Sequence, residues 1–305
     1  MKKSLQKARK SVNMFDTMII GQISLDHNID YDGREEYIAG GAVTFSGYAA
    51  AAIGHSVAVV PKGDASRLDP YKVFAESKVE KIFPVASKTC TMMQNTYYTA
   101  TRERRDCINA EMIEPYRPED LPDAEAKVYH LGGLVYGDIP NDMITACAAR
   151  GDTAVDVQCL LRRRYEDGSL ALEDWPDKLT YLPYVRYLKT DAAEAEVMTG
   201  TEDREKAAFM LCEWGAKEVM ITHNTEVIVC DGKKIYRSPL KPRGLAGRTG
   251  RGDTTFATYL TERLTKDIPE ALEFAAALVS YKMETPGPFK GTREDINDFI
   301  QKYYR

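Results

Sequence analysis

Between Gly247 and Leu260 the chain reads GRTGRGDTTFATYL. Gly250 and Gly252 bracket Arg251 and lead into Asp253, Thr254 and Thr255, after which Phe256, Ala257, Tyr259, Leu260 and Leu264 mark the apolar side of a helix. A glycine-rich turn that opens a helix leaves free N–H groups at the positive end of the helix dipole, and together they seat an anion such as phosphate. A carboxylate at that place repels the phosphate that the amides attract. Two readings of Asp253 follow. It caps the helix, as Asp commonly does, or it addresses the other reactant and takes a proton from a hydroxyl that attacks phosphorus.

Further acids stand where strands end. Met14 to Leu25 is a short apolar run with Gly21 near its end, and Asp26 follows it, either as a turn former or as a substrate contact. The double glycine Gly40-Gly41 then opens a small-residue helix that Gly54 terminates, and it allows backbone amides to face a ligand. Asp156 and Gln158 sit at another strand end near the expected cleft. In YLKTDAAEAEVMTG, Asp191 opens a helix with Glu194 three residues on, a capping-box spacing that structure alone explains.

The elements that must position these groups alternate. From Val128 the order is strand, turn, helix (Asp142 to Ala149), strand TAVDVQ, a basic connection and strand VRYLKTD, which predicts βαβ units and a parallel sheet flanked by helices. Trp214 to Ile221 gives another helix end and strand, Asp231-Gly232 marks a hairpin, and a second alanine-rich helix spans Ala271 to Met283. Ser56 to Val60 reads as a strand with PKGD as its turn, and His130 as a core or strand-end residue. Met92 to Tyr98 and Thr99 to Ile108 read as a hairpin with Arg102, Arg104 and Arg105 at its solvated tip; Arg162, Arg163 and Arg164 cover a solvated face.

With 305 residues, 44% hydrophobic and 29% charged, and a net charge of -5, the chain has the composition of an ordinary soluble protein, without the basic surface that nucleic acid requires. Six cysteines without a CxxC pair speak against a zinc site or a disulfide framework and for a reducing compartment. The basic N-terminus, residues 1–13, leads into a strand-like run and not a signal-peptide core, and no stretch reaches the length of a membrane span, so a cytoplasmic location is expected.

TGRGDTTFATYL resembles the TGAGDxFxxG signature of the ribokinase-like (PfkB) sugar kinases, with Arg251 where that family usually has Ala. The resemblance runs through GQISLD, the GGAVTF turn and the NxxE-like TDAAE segment, and covers Met14 to Gly291. It implies a three-layer α/β/α sandwich with a central, mostly parallel sheet and a small β lid: one kinase domain over about residues 14–300, with lid segments near 27–39 and 92–110. It implies Asp253 as catalytic base, the amides around Gly250, Arg251 and Gly252 as an anion hole, and Asp26, Gly40 and Gly41 as the acceptor side, to which the strand-end position adds Asp156 as a substrate contact. Arg251 either reaches the phosphates or supplies only its amide.

The resemblance further implies ATP as donor, with Thr222, Asn224, Thr285 and Gly287 around the nucleotide, and Mg2+ organised through water by Glu194 and Asp191. The loop 285–291 would also help to hold a monovalent cation. Ala42 and Phe45 stand where the family's GGNxxN turn has Asn, and Thr222-His223-Asn224-Thr225 lacks the glycines of its nucleotide loop. The GGA-x-[ST]-F version of the turn is similar to the inositol kinase branch and points to a sugar or cyclic polyol acceptor, inositol-like. A nucleoside kinase of the same superfamily and a non-catalytic ligand-binding relative are the alternatives. No nucleic-acid or membrane partner is expected, and the lid offers a face for a homodimer.

Overall fold

A computed structural model of the chain describes residues 14–99 and 105–305; the basic stretch 1–13 and the lid residues Arg102 and Arg104 lie outside the described residues. The apolar run of the first strand, Phe15–Gln22, is hydrophobic at successive positions because both its faces are covered. Ile19 packs with Val43, Ala51 and Val59 on one side, while Met18 and Ile20 meet Leu131 and Ile144 on the other.

That strand lies inside a sheet whose order from one edge is Ile235–Pro239, Glu226–Cys230, Glu218–Thr222, Tyr187–Asp191, Asp152–Asp156, Ala126–Leu131, Phe15–Gln22 and Val57–Gly63, with the short strands Lys81–Ile82 and Val85–Ala86 beyond. Pairing is parallel from Glu218–Thr222 to the short strands and antiparallel in the edge hairpin. Helices Asn141–Ala148, Ala192–Thr199 and Arg204–Glu213 cover one face. Ala42–Ala52, Arg251–Glu262 and Ile268–Lys282 cover the other, with Arg293–Tyr303 packed outside them. The architecture is the α/β/α sandwich that the resemblance implies. Successive connections from Phe15–Gln22 run to Val57–Gly63 on one side and Ala126–Leu131 on the other, so a crevice opens at the carboxyl ends of the central strands.

The first strand does not run on to Leu25. The chain leaves the central sheet at Gln22, and Ser24–Ile29 opens a second, four-stranded sheet in the order Glu35–Gly40, Ser24–Ile29, Thr91–Tyr97, Arg105–Glu111. Hydrophobic periodicity continues across this bend, so it cannot reveal it; the bend is set by backbone approach. Gly41, at φ 94°, presses so closely on the Gln22 carbonyl and the Ser24 amide that a side chain would have no room. Asp26 is therefore a lid residue, and the lid begins at Ser24 instead of near residue 27. Pro61, Lys62 and Gly63, read as a turn, extend the strand Val57–Gly63. Among the described residues no helix is long and apolar enough to cross a membrane, and all six cysteines are free.

The helix Arg251–Glu262 is buried along nearly its whole length although it carries four threonines. Three of them are tolerable because Thr255, Thr258 and Thr261 donate to the carbonyls of Arg251, Thr254 and Ala257, four residues back. At its far end Glu262 is 1% exposed and accepts from His55 Nε2 at 3.0 Å, Lys266 Nζ at 2.8 Å and the Arg293 guanidinium. Burial alone would push this carboxyl up, but its three donors hold it well below the usual carboxylate range. Glu262→Gln removes the charge that the three cationic or donor groups converge on. It should lower unfolding free energy by about 3 kcal/mol in a urea titration, and a loss below about 0.5 kcal/mol would show that the cluster does not anchor the helix.

Candidate active site

The site begins with the turn that precedes Arg251–Glu262. Gly250 is the N-cap at φ 74°, and a Cβ there would lie inside the ring of Phe45, so conformation and space both demand glycine. With no side chain available as a cap, the helix end keeps its donors. The N–H groups of Gly252 and Asp253 meet no acceptor among the described residues, while the Arg251 amide turns to the Arg248 carbonyl at 3.3 Å. Lys282, at the end of the next helix, donates to the Gly247 carbonyl at 2.7 Å and to that of Thr249, and so straps the turn in place.

Asp253 sits in the first turn of this helix but does not cap it, and no hydrogen bond from a described residue reaches its carboxylate. Burial and the nearby Asp156 push its pKa up to about 6, against the pull of Lys189, Arg162 and Lys282. That leaves a carboxylate that is ionised at neutral pH, unshielded and mildly basic, as a proton acceptor must be.

Beneath the turn lies a charge that the sequence reading did not single out. Lys189 is 5% exposed, in the strand Tyr187–Asp191, and its Nζ stands 3.0 Å from Asp156 Oδ2 and 3.8 Å from Glu194 Oε2. A Cβ added to Gly252 would lie 3.3 Å from the same Nζ. Desolvation opposes its charge, but Asp156, then Glu194, Asp253 and Asp191, raise its pKa above the ordinary value, so it is an ammonium directly below the open amides of the helix start. The available signal was a lysine inside the strand-end segment YLKTD, where both sheet faces are covered.

A cleft of about 140 Å³ lies between lid and body, where the resemblance implies the acceptor. Asp26, Ser24 and Asn95 reach it from the lid, and Gln158, Arg162 and Asp253 from the body, with Phe45 as an apolar wall. Gly41 and Gly250 line it as well, and Gly40 lies against the Asp26 carboxylate with no space for a side chain. Asp156 is not in the wall: it is 3% exposed and turned inward to Lys189, and its Oδ1 accepts from the Gln158 amide at 3.1 Å. Arg162, expected on a solvated face, lines the cleft because the one-turn helix Gln158–Leu161 reverses the chain toward it. Arg163 instead stacks on Tyr136, and Arg164 donates to the Asn109 carbonyl at 2.8 Å. His130 is a core residue, edge-on to Phe256, with burial and then Lys189 holding its pKa down at about 3.

Asp191 and Glu194 form a reciprocal capping box: the Glu194 amide donates to Asp191 at 2.9 Å and the Asp191 amide to Glu194 Oε2 at 2.8 Å. Burial first, and then neighbouring acids, raise Glu194 against the pull of Lys189. Two carboxylates at this place suit a hard cation that keeps its water shell, while the ammonium 3.8 Å away disfavours direct coordination. Among the described residues no three metal-ligating side chains cluster. Thr222 lines a cavity of only about 10 Å³ with His223, Leu240, Arg251, Gly252 and Val279. Asn224 is exposed and outside that cavity; Thr285 is exposed with its carbonyl against Gly247, and Gly287 lies in the following turn at φ 84°.

Asp253→Asn should fold normally yet lose kcat by about three orders of magnitude or more; an active variant would remove Asp253 from the chemistry. In the wild type, kcat/KM should rise with pH through about 6. Because the folded-state pKa lies above the unfolded value of 3.8, ionising Asp253 costs stability above about pH 6 and nothing below about pH 4. The Asn variant should therefore be more stable than wild type at pH 7.5, by on the order of 2–3 kcal/mol, and equal to it near pH 3.5. Lys189→Met should act in the opposite sense, leaving buried acids uncompensated and lowering unfolding free energy by about 3–5 kcal/mol in denaturant titration.

Residues 85–293 match the family model described as pfkB family carbohydrate kinase. A pyrophosphate-dependent kinase in the ribokinase family, solved with a pyrophosphate analogue and myo-inositol, superposes with a TM-score of 0.84 at 31% identity over 92% of this chain and 99% of the other. A pyrophosphate-dependent myo-inositol-1 kinase, converted by two substitutions into a myo-inositol-3 kinase, gives 0.83 at 29% identity over 95% of this chain and 100% of the other. A cytidine kinase of Thermococcus kodakarensis is 26% identical over 254 residues, 81% of this chain and 88% of that protein.

Proposed function

Since the chain belongs to the pfkB family of carbohydrate kinases, and is thus a phosphotransferase acting on an alcohol group, we propose that it phosphorylates a cyclic polyol of the myo-inositol kind, with pyrophosphate as donor. The observation that carries the donor assignment is the space beside Gly252. Beside Thr222, one of the four residues at which the resemblance implies a nucleotide, His223, Leu240 and Val279 leave about 10 Å³, roughly the room of one water molecule. Adenosine has no slot there unless these side chains move apart. What remains is phosphate chemistry: the unused amides of Gly252 and Asp253, the Lys189 ammonium, and Arg251, whose pKa burial and then Arg248 hold down. A donor without a base suits such a site. The relatives that share about 30% of the sequence over more than nine-tenths of this chain support the same reading.

On the acceptor side, Asp26, Asn95, Gln158 and Arg162 offer hydrogen-bond acceptors and donors in turn, and Phe45 presents a face for ring C–H groups. Asp253 takes the proton of the attacking hydroxyl as its oxygen bonds to phosphorus and the bond to the leaving phosphate breaks. The amides of Gly252 and Asp253, with Lys189 below them, stabilise the charge on the transferred group. Glu194 and Asp191 would hold Mg2+ through water, which supplies further neutralisation of donor charge. The loop after Met283, with Thr285 and Gly287, is the place left for a monovalent cation.

Product formation followed by mass spectrometry, with pyrophosphate or ATP as donor and myo-inositol, ribose, fructose, cytidine or adenosine as acceptor, tests both halves. The highest kcat/KM is expected for pyrophosphate with myo-inositol. Preference for ATP would refute the donor assignment, and preference for a nucleoside would return the cytidine kinase likeness to first place.

A further inference from the structure

Arg162 is a guanidinium with most of its bonding capacity left open to the acceptor cleft. Its Nη2 donates to Gln158 Oε1 at 2.8 Å, and among the described residues no carboxylate pairs with it at ion-pair distance. Its backbone is fixed on both sides: Tyr136 N–H donates to its carbonyl at 2.8 Å, and it pairs with Leu172 in a two-stranded ribbon. Gln158 is fixed too. Its amide nitrogen lies 3.5 Å from the carbonyls of Gly133 and Leu134, which turns its oxygen toward Arg162. The guanidinium is thus held by neutral groups, with one of its five N–H donors engaged, and it faces a cleft that also contains Asp26 and Asp253.

Among the described residues Arg162 is the only cation in a wall that also holds Asp26 and Asp253. A neutral ring bearing hydroxyls meets complementary groups on both sides: Asp26 accepts from the lid, and Arg162 donates from the body. The planar fork of arginine matches two oxygens carried side by side, a geometry that a lysine ammonium cannot reproduce. We propose that Arg162 reads the acceptor, its guanidinium donating to two neighbouring hydroxyls of the polyol, so that a vicinal diol at this position is a requirement for productive binding. The assignment rests on the polyol-kinase reading and names which feature of the polyol is selected.

The test combines protein and ligand changes. Steady-state kinetics are measured for wild type, Arg162→Met and Arg162→Lys with myo-inositol and with a set of inositols each lacking one hydroxyl, and Tm is recorded for each protein. Arg162→Met should raise KM for myo-inositol about 10- to 100-fold with a smaller change in kcat, and Arg162→Lys should recover only part of this. Two of the deoxy compounds, adjacent on the ring, should be poor substrates for wild type yet lose little further in Arg162→Met, because the same contact is already gone. An unchanged KM in Arg162→Met, or losses that simply multiply for every deoxy compound, would overturn the proposal while leaving the kinase reading in place. A wild-type protein that phosphorylates no inositol but accepts another compound of the panel would refute the polyol reading, and the diol requirement with it.

Discussion

One buried ammonium under a helix N-terminus sets the terms for the rest of this molecule. On the proposed reading the site holds a phosphate and a basic carboxylate within one helical turn, and these repel each other. Lys189 supplies the fixed positive charge that lets both stay, and the helix dipole adds to it. Its partners come from four elements: Asp156 from one strand, Asp191 from the end of its own, Glu194 from the helix after it and Asp253 from a helix sixty residues later. Only a sheet in which Asp152–Asp156 lies beside Tyr187–Asp191 can gather them. Strand order is thereby a requirement of the electrostatics as much as of the apolar core.

What the sequence made legible follows from how local each signal is. The glycine turn and the place of Asp253 in the first turn of its helix could be read because both are set by spacing within one helical turn. The parallel sheet could be read because strands buried on both faces leave apolar runs separated by helical patterns. The bend at Ile23 could not, since it is produced by Gly41 returning through space against Gln22 and Ser24. Arg162 was hidden for a similar reason. In a run of three arginines nothing distinguishes the one that faces a cleft from those that stack on Tyr136 or lie along the lid; the short helix before it decides that. Asp156 sat at the expected strand end, but its orientation depends on Lys189, a partner thirty-three residues away.

Rigidity is distributed unevenly around the chemistry. The helix that carries Asp253 is gripped at both ends: Lys282 binds the turn before it, and Glu262 ties its last turn to Arg293, His55 and Lys266. The turn proposed to seat phosphate therefore belongs to a packed body in which small displacements are opposed. The acceptor groups of the lid hang from a separate sheet, joined to the body through the bend at Ile23 and the Gly40-Gly41 return.

This division has an evolutionary reading. On the proposed reading, Asp26 and Asn95, the lid's share of the acceptor cleft, are encoded in the first third of the chain, whereas Lys189, Gly250 and Gly252, the groups proposed to meet phosphate, come from its later part, and Gln158, Arg162 and Asp253 complete the cleft from the body. Descent can alter the first set, and so change which alcohol is modified, without disturbing the second. A fold partitioned in this way is free to diversify its clientele while its chemistry stays constant.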